Sequence, residues 1–245
     1  MLIKSLFPLA LFPLALVATA VFAPDAANAH RVDPIRYELA PSGSAAQTTV
    51  LVTNTRSFPI TIEAIPNTLS IAEDGSETLS PAEDDFLIFP PQAVIEPGKS
   101  QSFRVRYIGT PSLERSVAYR IGINQLPVDM REEGASGIGV TLNFATLANI
   151  IPAGATAAIS VESIAPAPDG KWQLTLANTG TRFARLSEAQ VSFTQGDRTE
   201  EFSGTRTQGW FDNNILLPGN RLNVTIPAPE GFDPGSTSVR IAASQ

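Results

Sequence analysis

Apolar side chains in this chain recur at every second position, in short runs closed by Gly, Pro, Asn or Asp. "TTVLVTN" (48–54), "ITIEAI" (60–65), "FLIF" (86–89), "SFRVRYIG" (102–109), "AYRIGINQL" (118–126) and "GVTLNFATLANII" (139–151) share this texture. Alternation is the period of a strand that keeps one face dry, and helical spacing is nearly absent. Between the runs stand "PNT", "EDGSE", "PP", "EPGK" and "REEGASG", in which Asp74-Gly75 reads as a hairpin turn. Many short strands punctuated in this way predict an all-β sandwich.

"IPAGATAA" (151–158) interrupts the pattern with Pro, Gly and small residues and reads as a linker. The same texture then restarts in "AISVESI" (158–164), "WQLTLANTG" (172–180), "ARLSEAQVSFT" (184–194), "RLNVTIP" (221–227) and "TSVRIAA" (237–243). Two sandwich domains in tandem, 30–152 and 153–245, are the simplest arrangement; a single large barrel competes with it. Hydrophobic residues make up 43% of the sequence and Cys is absent, so the fold must stand on core packing alone.

Residues 1–29 read as a secretory signal peptide. Lys4 precedes an apolar run, and Ala27-Asn28-Ala29 supplies a small-x-small site for cleavage after Ala29. No later stretch is long and apolar enough to span a bilayer, so the mature chain is expected to be exported and not inserted in a membrane. Removing the leader takes away Lys4 and Asp25 and leaves the net charge at −7. Such an acidic chain has no electrostatic footprint for nucleic acid.

Reactive chemistry has little to stand on. The single His, His30, falls at the expected mature N-terminus and is read as a frayed first residue, so neither a Ser-His-Asp triad nor a metal centre has its parts. The acidic stretches "AEDGSE" (72–77) and "AEDD" (82–85) lack the alternating ligand spacing of a calcium loop and read as solvated faces. No cofactor motif is present. The chain reads as a protein that binds, with no enzymatic role.

"GIGVTLNFATLANIIP" (137–152) raises the sharpest question. Ile138, Val140, Leu142 and Phe144 share one face, with Gly139, Thr141, Asn143 and Ala145 on the other. Periodicity alone assigns such a row to the domain's own core.

Several segments together carry a resemblance. "FLIFPPQAVIEPGKSQSFRVRY" (86–107) followed by "SVAYRIGINQLPV" (116–128) resembles the periplasmic chaperones of the chaperone–usher pathway, with Pro90, Pro91, Pro97, Gly98, Arg104, Leu126 and Pro127 in the family's order. "VTNTRSFPITIEA" (52–64) is similar to the family's strand-Asn-turn-Pro stretch through Asn54 and Pro59, and "WQLTLANTG" to a segment of its second domain.

The resemblance implies two immunoglobulin-like domains in a boomerang and a periplasmic location. It also implies a role in fimbrium biogenesis and cell-wall organisation. Such a chaperone folds and caps pilus subunits by donor-strand complementation and delivers them to an outer-membrane usher. An exported immunoglobulin-like binding or surface module is the alternative. The family's donor strand coincides with 137–152, which reverses the core assignment for Ile138, Val140 and Leu142 and assigns Phe144 to the loan or to its own core. Four such side chains contribute roughly 6–12 kcal/mol before ordering costs. An exposed edge of this kind also leaves room for self-capping association of the free protein.

The family anchors the subunit's C-terminal carboxylate with an Arg on the first strand and a Lys on the last. Arg36 in "VDPIRYEL" matches the Arg; the Lys position falls near Leu147, and no basic residue occurs from 132 to 170. Arg120, on the neighbouring strand, is the expected substitute.

Overall fold

The computed structural model describes residues 30–127, 141–211 and 215–242. The expected signal peptide lies outside the described residues, as do Ile138 and Val140. Among the described residues there is no α-helix, only strands, short 3-10 turns and loops.

The strands of the first unit are β1 (Arg31–Asp33), β2 (Arg36–Leu39), β3 (Gln47–Thr53), β4 (Ile60–Ile71) and β5 (Glu77–Pro81), then β6 (Phe86–Phe89), β7 (Gln92–Ile95), β8 (Ser100–Tyr107), β9 (Val117–Leu126) and β10 (Asn143–Ile150). They make two sheets, ordered β1-β3-β8-β6 and β2-β10-β9-β4-β5, with β7 also paired to β4. Alternation in the sequence becomes alternation in burial: Phe103, Val105 and Tyr107 of β8 face inward while Arg104 and Arg106 face out. Val50, Val52, Phe103 and Val105 from one sheet meet Ile60, Ile62, Ile121, Ile123, Ala148 and Ile150 from the other in one sealed core. Pro97-Gly98 forms the turn into β8, with Gly98 at φ +69° where a side chain would be strained.

The second unit comprises β11 (Ile159–Ala167), β12 (Lys171–Asn178), β13 (Ala184–Arg185), β14 (Gln190–Gln195), β15 (Arg198–Phe202), β16 (Ile215–Leu216), β17 (Arg221–Pro227) and β18 (Ser238–Ala242). Its sheets run β11-β12-β17, β13-β16 and β15-β14-β18 around Trp172, Leu174, Leu176, Phe193, Leu222 and Ile226. Residues 151–158, between the last strand of one unit and the first of the next, carry no regular structure.

One local device occurs in both units. Asn54 is fully buried at the end of β3; its Nδ2 donates to Phe58 O and to Ile95 O, both at 2.8 Å, and its Oδ1 accepts from Arg56 N. Asn178 ends β12 in the same way, donating to Arg182 O at 2.8 Å and Leu216 O at 3.1 Å and accepting from Gly180 N. Each amide satisfies backbone groups that a chain reversal would otherwise leave buried and unpaired.

The units are joined tightly. Leu69, Ile71, Ala118 and Leu147, from the outer face of the β2-β10-β9-β4-β5 sheet, belong to the same apolar cluster as the second unit's core. Around this seam Glu38 Oε2 accepts from Arg182 Nη2 at 2.8 Å and Glu38 Oε1 from Arg185 Nη2 at 3.1 Å. Asn220 Nδ2 donates to Ile71 O and Asn223 N to Glu73 O, so the β4–β5 hairpin is stitched to the second unit.

Candidate strand-docking edge

β10 is paired unequally on its two sides. Against β9 it is antiparallel along its whole length, from Asn143↔Asn124 to Ile150↔Val117. On its other side β2 covers it in parallel from Leu147↔Arg36 to Ile150↔Leu39, with the ladder opening at Leu147 N to Ile35 O, 2.8 Å. Before Arg36 the chain has left this sheet, because β1 pairs β3 in the opposite one. Asn143–Thr146 therefore have no strand beside them on that edge among the described residues.

Hydrogen-bond direction alternates along a strand. Leu147 N and Ile151 N point toward β2, so the N–H groups of Asn143 and Ala145 point the same way, into the open edge. Leu142 N instead turns toward β9, 3.5 Å from Gln125 Oε1, and Asn143 Oδ1 accepts from Gln125 N at 3.0 Å. These two contacts fix where β10 begins.

Side chains change role along the strand. Leu142, Phe144, Thr146, Ala148 and Ile150 share one face; the first two are half-buried and the last three are buried. Thr146 Oγ1 donates to Ile121 O at 3.2 Å and lies 3.2 Å from the Tyr37 hydroxyl, which closes the core at that level. Phe144 packs against its own unit's core, its ring edge-on to His30 at 4.7 Å. Only part of Phe144 is thus open to a partner, whereas Leu142 stands at the mouth.

His30 corrects an expectation. Read as a frayed end, it is in fact 1% exposed, and neither ring nitrogen has a hydrogen-bond partner among the described residues. Burial, with the Arg56 charge adding to it, pushes its pKa below the usual histidine value, so the ring is neutral at pH 7. Its position beside Phe144 depends on strand pairing between distant segments, which left no local signal in the sequence.

The cations sit in one row across the sheet. Arg36, Leu147, Arg120 and Asn67 are successive Cα partners on β2, β10, β9 and β4, so their side chains share the outer face. Arg36 is exposed and forms no ion pair among the described residues. Leu147, 6% exposed, is sealed in the seam, which accounts for an apolar residue at the position where the family resemblance led one to look for Lys. Arg120 is engaged: its Nε and Nη2 both donate to the carboxylate of Glu77 on β5. In the sequence Glu77 belongs to a stretch expected to be a solvated face, and its contact with Arg120 depends on the pairing of β5 with β4.

No group of three or more His, Cys, Asp or Glu side chains that could hold a metal occurs among the described residues. Nor is any helix among them long and apolar enough to cross a membrane.

The two-unit all-β fold is also that of fimbrial chaperones. Solved structures share it: the class 5 fimbriae chaperone CfaA (TM-score 0.56, 12% identity, covering 89% of this chain and 100% of that one); and the SafB chaperone in its complex with the Salmonella enterica SafA pilin (TM-score 0.52, 17% identity, 81% and 84%). The CsuC–CsuE chaperone–tip subunit pre-assembly complex of Acinetobacter baumannii is also similar (TM-score 0.52, 13% identity, 80% and 89%). No curated protein sequence matches the chain. Residues 34–151 match the family model "Pili and flagellar-assembly chaperone, PapD N-terminal domain". The match covers the first unit, and the solved structures similar to the whole chain are fimbrial chaperones at low sequence identity.

Proposed function

We propose that this protein is a periplasmic chaperone that captures pilus subunits by lending them the uncovered half of β10, and then delivers them to an outer-membrane usher. The observation that carries the reading is the half-paired strand: two backbone N–H groups point into an edge with no strand beside it among the described residues, and Leu142 stands half-buried at its start. An added strand supplies carbonyls to those amides, and Leu142, with Ile138 and Val140 upstream, fills an incomplete subunit's core. This is β-augmentation, with main-chain bonds giving affinity and alternate side chains giving specificity.

Direction follows from β2. A guest strand that continues the line of β2 and shares its parallel orientation ends where β2 begins, at Arg36. Its terminal carboxylate then meets an unpaired guanidinium able to grip it with two parallel hydrogen bonds. Arg120, two strand spacings or about 10 Å away on the same face, is the second cation of this reading. In the absence of a guest, a second copy of the chain is the natural cover for the edge.

The test is a periplasmic pull-down from a fimbriated host with the tagged protein and its variants. Wild type is expected to recover a pilus subunit. Leu142→Asp and Arg36→Glu are expected to lose it while the melting temperature stays close to wild type. Losing one buried Leu contact, about 1.5–3 kcal/mol, corresponds to roughly 10- to 100-fold in affinity. Undiminished recovery by both variants would remove β10 and Arg36 from the site.

A further inference from the structure

Arg120 and Glu77 make an arrangement that subunit capture alone does not require. Arg120 stands beside Leu147 in the row that starts at the unpaired Arg36, yet its side chain is turned away from Arg36, across β4 to the edge strand β5. There two of its nitrogens grip both oxygens of one carboxylate, Nε to Oε2 at 3.1 Å and Nη2 to Oε1. That fork is the geometry in which Arg takes a terminal carboxylate. Both partners are part-exposed, with side chains 22% and 34% accessible, so neither is locked into the core and each can be resolvated on release.

Glu77 also sits on an element with its own attachment. It opens β5 immediately after the 72–76 turn, and the hairpin is tied to the second unit through Ile71 O and Glu73 O. The carboxylate is therefore held at a fixed place relative to the seam, as a permanent competitor for Arg120 and not a loose surface charge.

We propose that Glu77 is an internal stand-in for the subunit's terminal carboxylate: it occupies Arg120 in the unloaded protein and throttles the affinity for the guest by competing for that guanidinium. This rests on the reading of Arg36 as the first anchor. In the unloaded state the face presents Arg36, a cation without an ion pair among the described residues, which suffices for encounter. Full grip requires Arg120 to exchange one carboxylate for another. Because the exchange replaces one fork with an equivalent one, the second anchor adds little net free energy. Loading then stays reversible enough for hand-over.

The experiment uses the subunit recovered in the pull-down above, with a synthetic peptide of its C-terminal strand prepared both as free acid and as C-terminal amide. Affinities of both peptides are measured by calorimetry for wild type, Glu77→Gln, Arg120→Ala, the double variant and Arg36→Ala. Glu77→Gln is expected to raise affinity for the free acid about 5- to 20-fold, leave the amide unchanged, and slow release of the intact subunit. In the Arg120→Ala background the same substitution is expected to have no effect. Thermal melts identify any variant whose fold has changed. Should Arg36→Ala weaken the free acid while Glu77→Gln leaves the acid-to-amide ratio at the wild-type value, the stand-in is refuted and the chaperone reading stands. Should Arg36→Ala change nothing, or the pull-down return no subunit, both fall together.

Discussion

His30 and Asn54 lie at neighbouring levels of the same core, and only one of them could be read from the sequence. Asn54 sits at the end of an alternating run and just before a turn, and its amide bonds are local enough for a motif to carry: Phe58 is four residues away. The recurrence of Asn178 with the same i+4 bond, again followed by Thr, makes the second unit legible by the same sign. His30 carries no such sign, because its burial comes from Phe144 far along the chain.

That burial has a consequence in pH. The unfolded chain takes up a proton at His30 near pH 6.5, while the folded protein resists it to lower pH, so the unfolded state binds more protons in that window. Stability is accordingly present above pH 6.5 and lost as pH falls through it. The stability lost between pH 7.5 and pH 5 is expected to be smaller in His30→Phe than in wild type, by urea titration at each pH. Parallel pH profiles for the two proteins would show that His30 is not the group responsible.

At the scale of elements, strands with one wet and one dry face were legible and edges were not. The runs at 86–89, 118–126 and 221–227 coincide with β6, β9 and β17 to within a residue. β5, "ETLSP", is exposed at every position, so no alternation marks it. β4 was expected to end at Ile65 because Pro66-Asn67 reads as a turn, yet it runs on to Ile71. Pro66 is tolerated there because its carbonyl side faces just beyond β5, where Ala82 N meets it, so the missing N–H removes no bond to β9. The run expected at 184–194 is broken by the 3-10 turn Leu186–Glu188, which splits it into β13 and β14.

β10 was legible as a strand but not as a half-covered one, since its coverage depends on where the chain passes from β1 in one sheet to β2 in the other. Leu147 shows the cost of reading position by family alone. Leu147→Lys would restore the expected cation but would place its stem in a seam with Leu69, Ile71 and Ala118. Destabilisation of roughly 2–4 kcal/mol is expected by chemical denaturation, without gain in subunit recovery. A variant as stable as wild type that recovers more subunit would mean the seam tolerates a cation and that the second anchor belongs at this position.

For the molecule as a whole, the two units divide the labour. The second unit seals the outer face of the sheet around Leu147 and grips Glu38 from Arg182 and Arg185, which holds β2 and the C-terminal half of β10 in place. What no strand covers among the described residues is the start of β10. A strand offered from a rigid support loses little ordering entropy when it is taken up, compared with one recruited from a loop. The tandem all-β organisation was readable from turn spacing and the restart of alternation after 158. The seam was not, because its contacts join residues such as Asn220 and Ile71 that no local pattern relates.

Amide hydrogen exchange, residue by residue, on the dilute free protein and on its complex with a subunit tests the central claim most directly. Asn143 and Ala145 are expected to exchange rapidly in the free protein and to become protected in the complex, while Leu147 and Asn149, already covered by β2, keep their protection in both. Slow exchange at Asn143 and Ala145 in the free monomer, or unchanged rapid exchange there in the complex, would contradict the account.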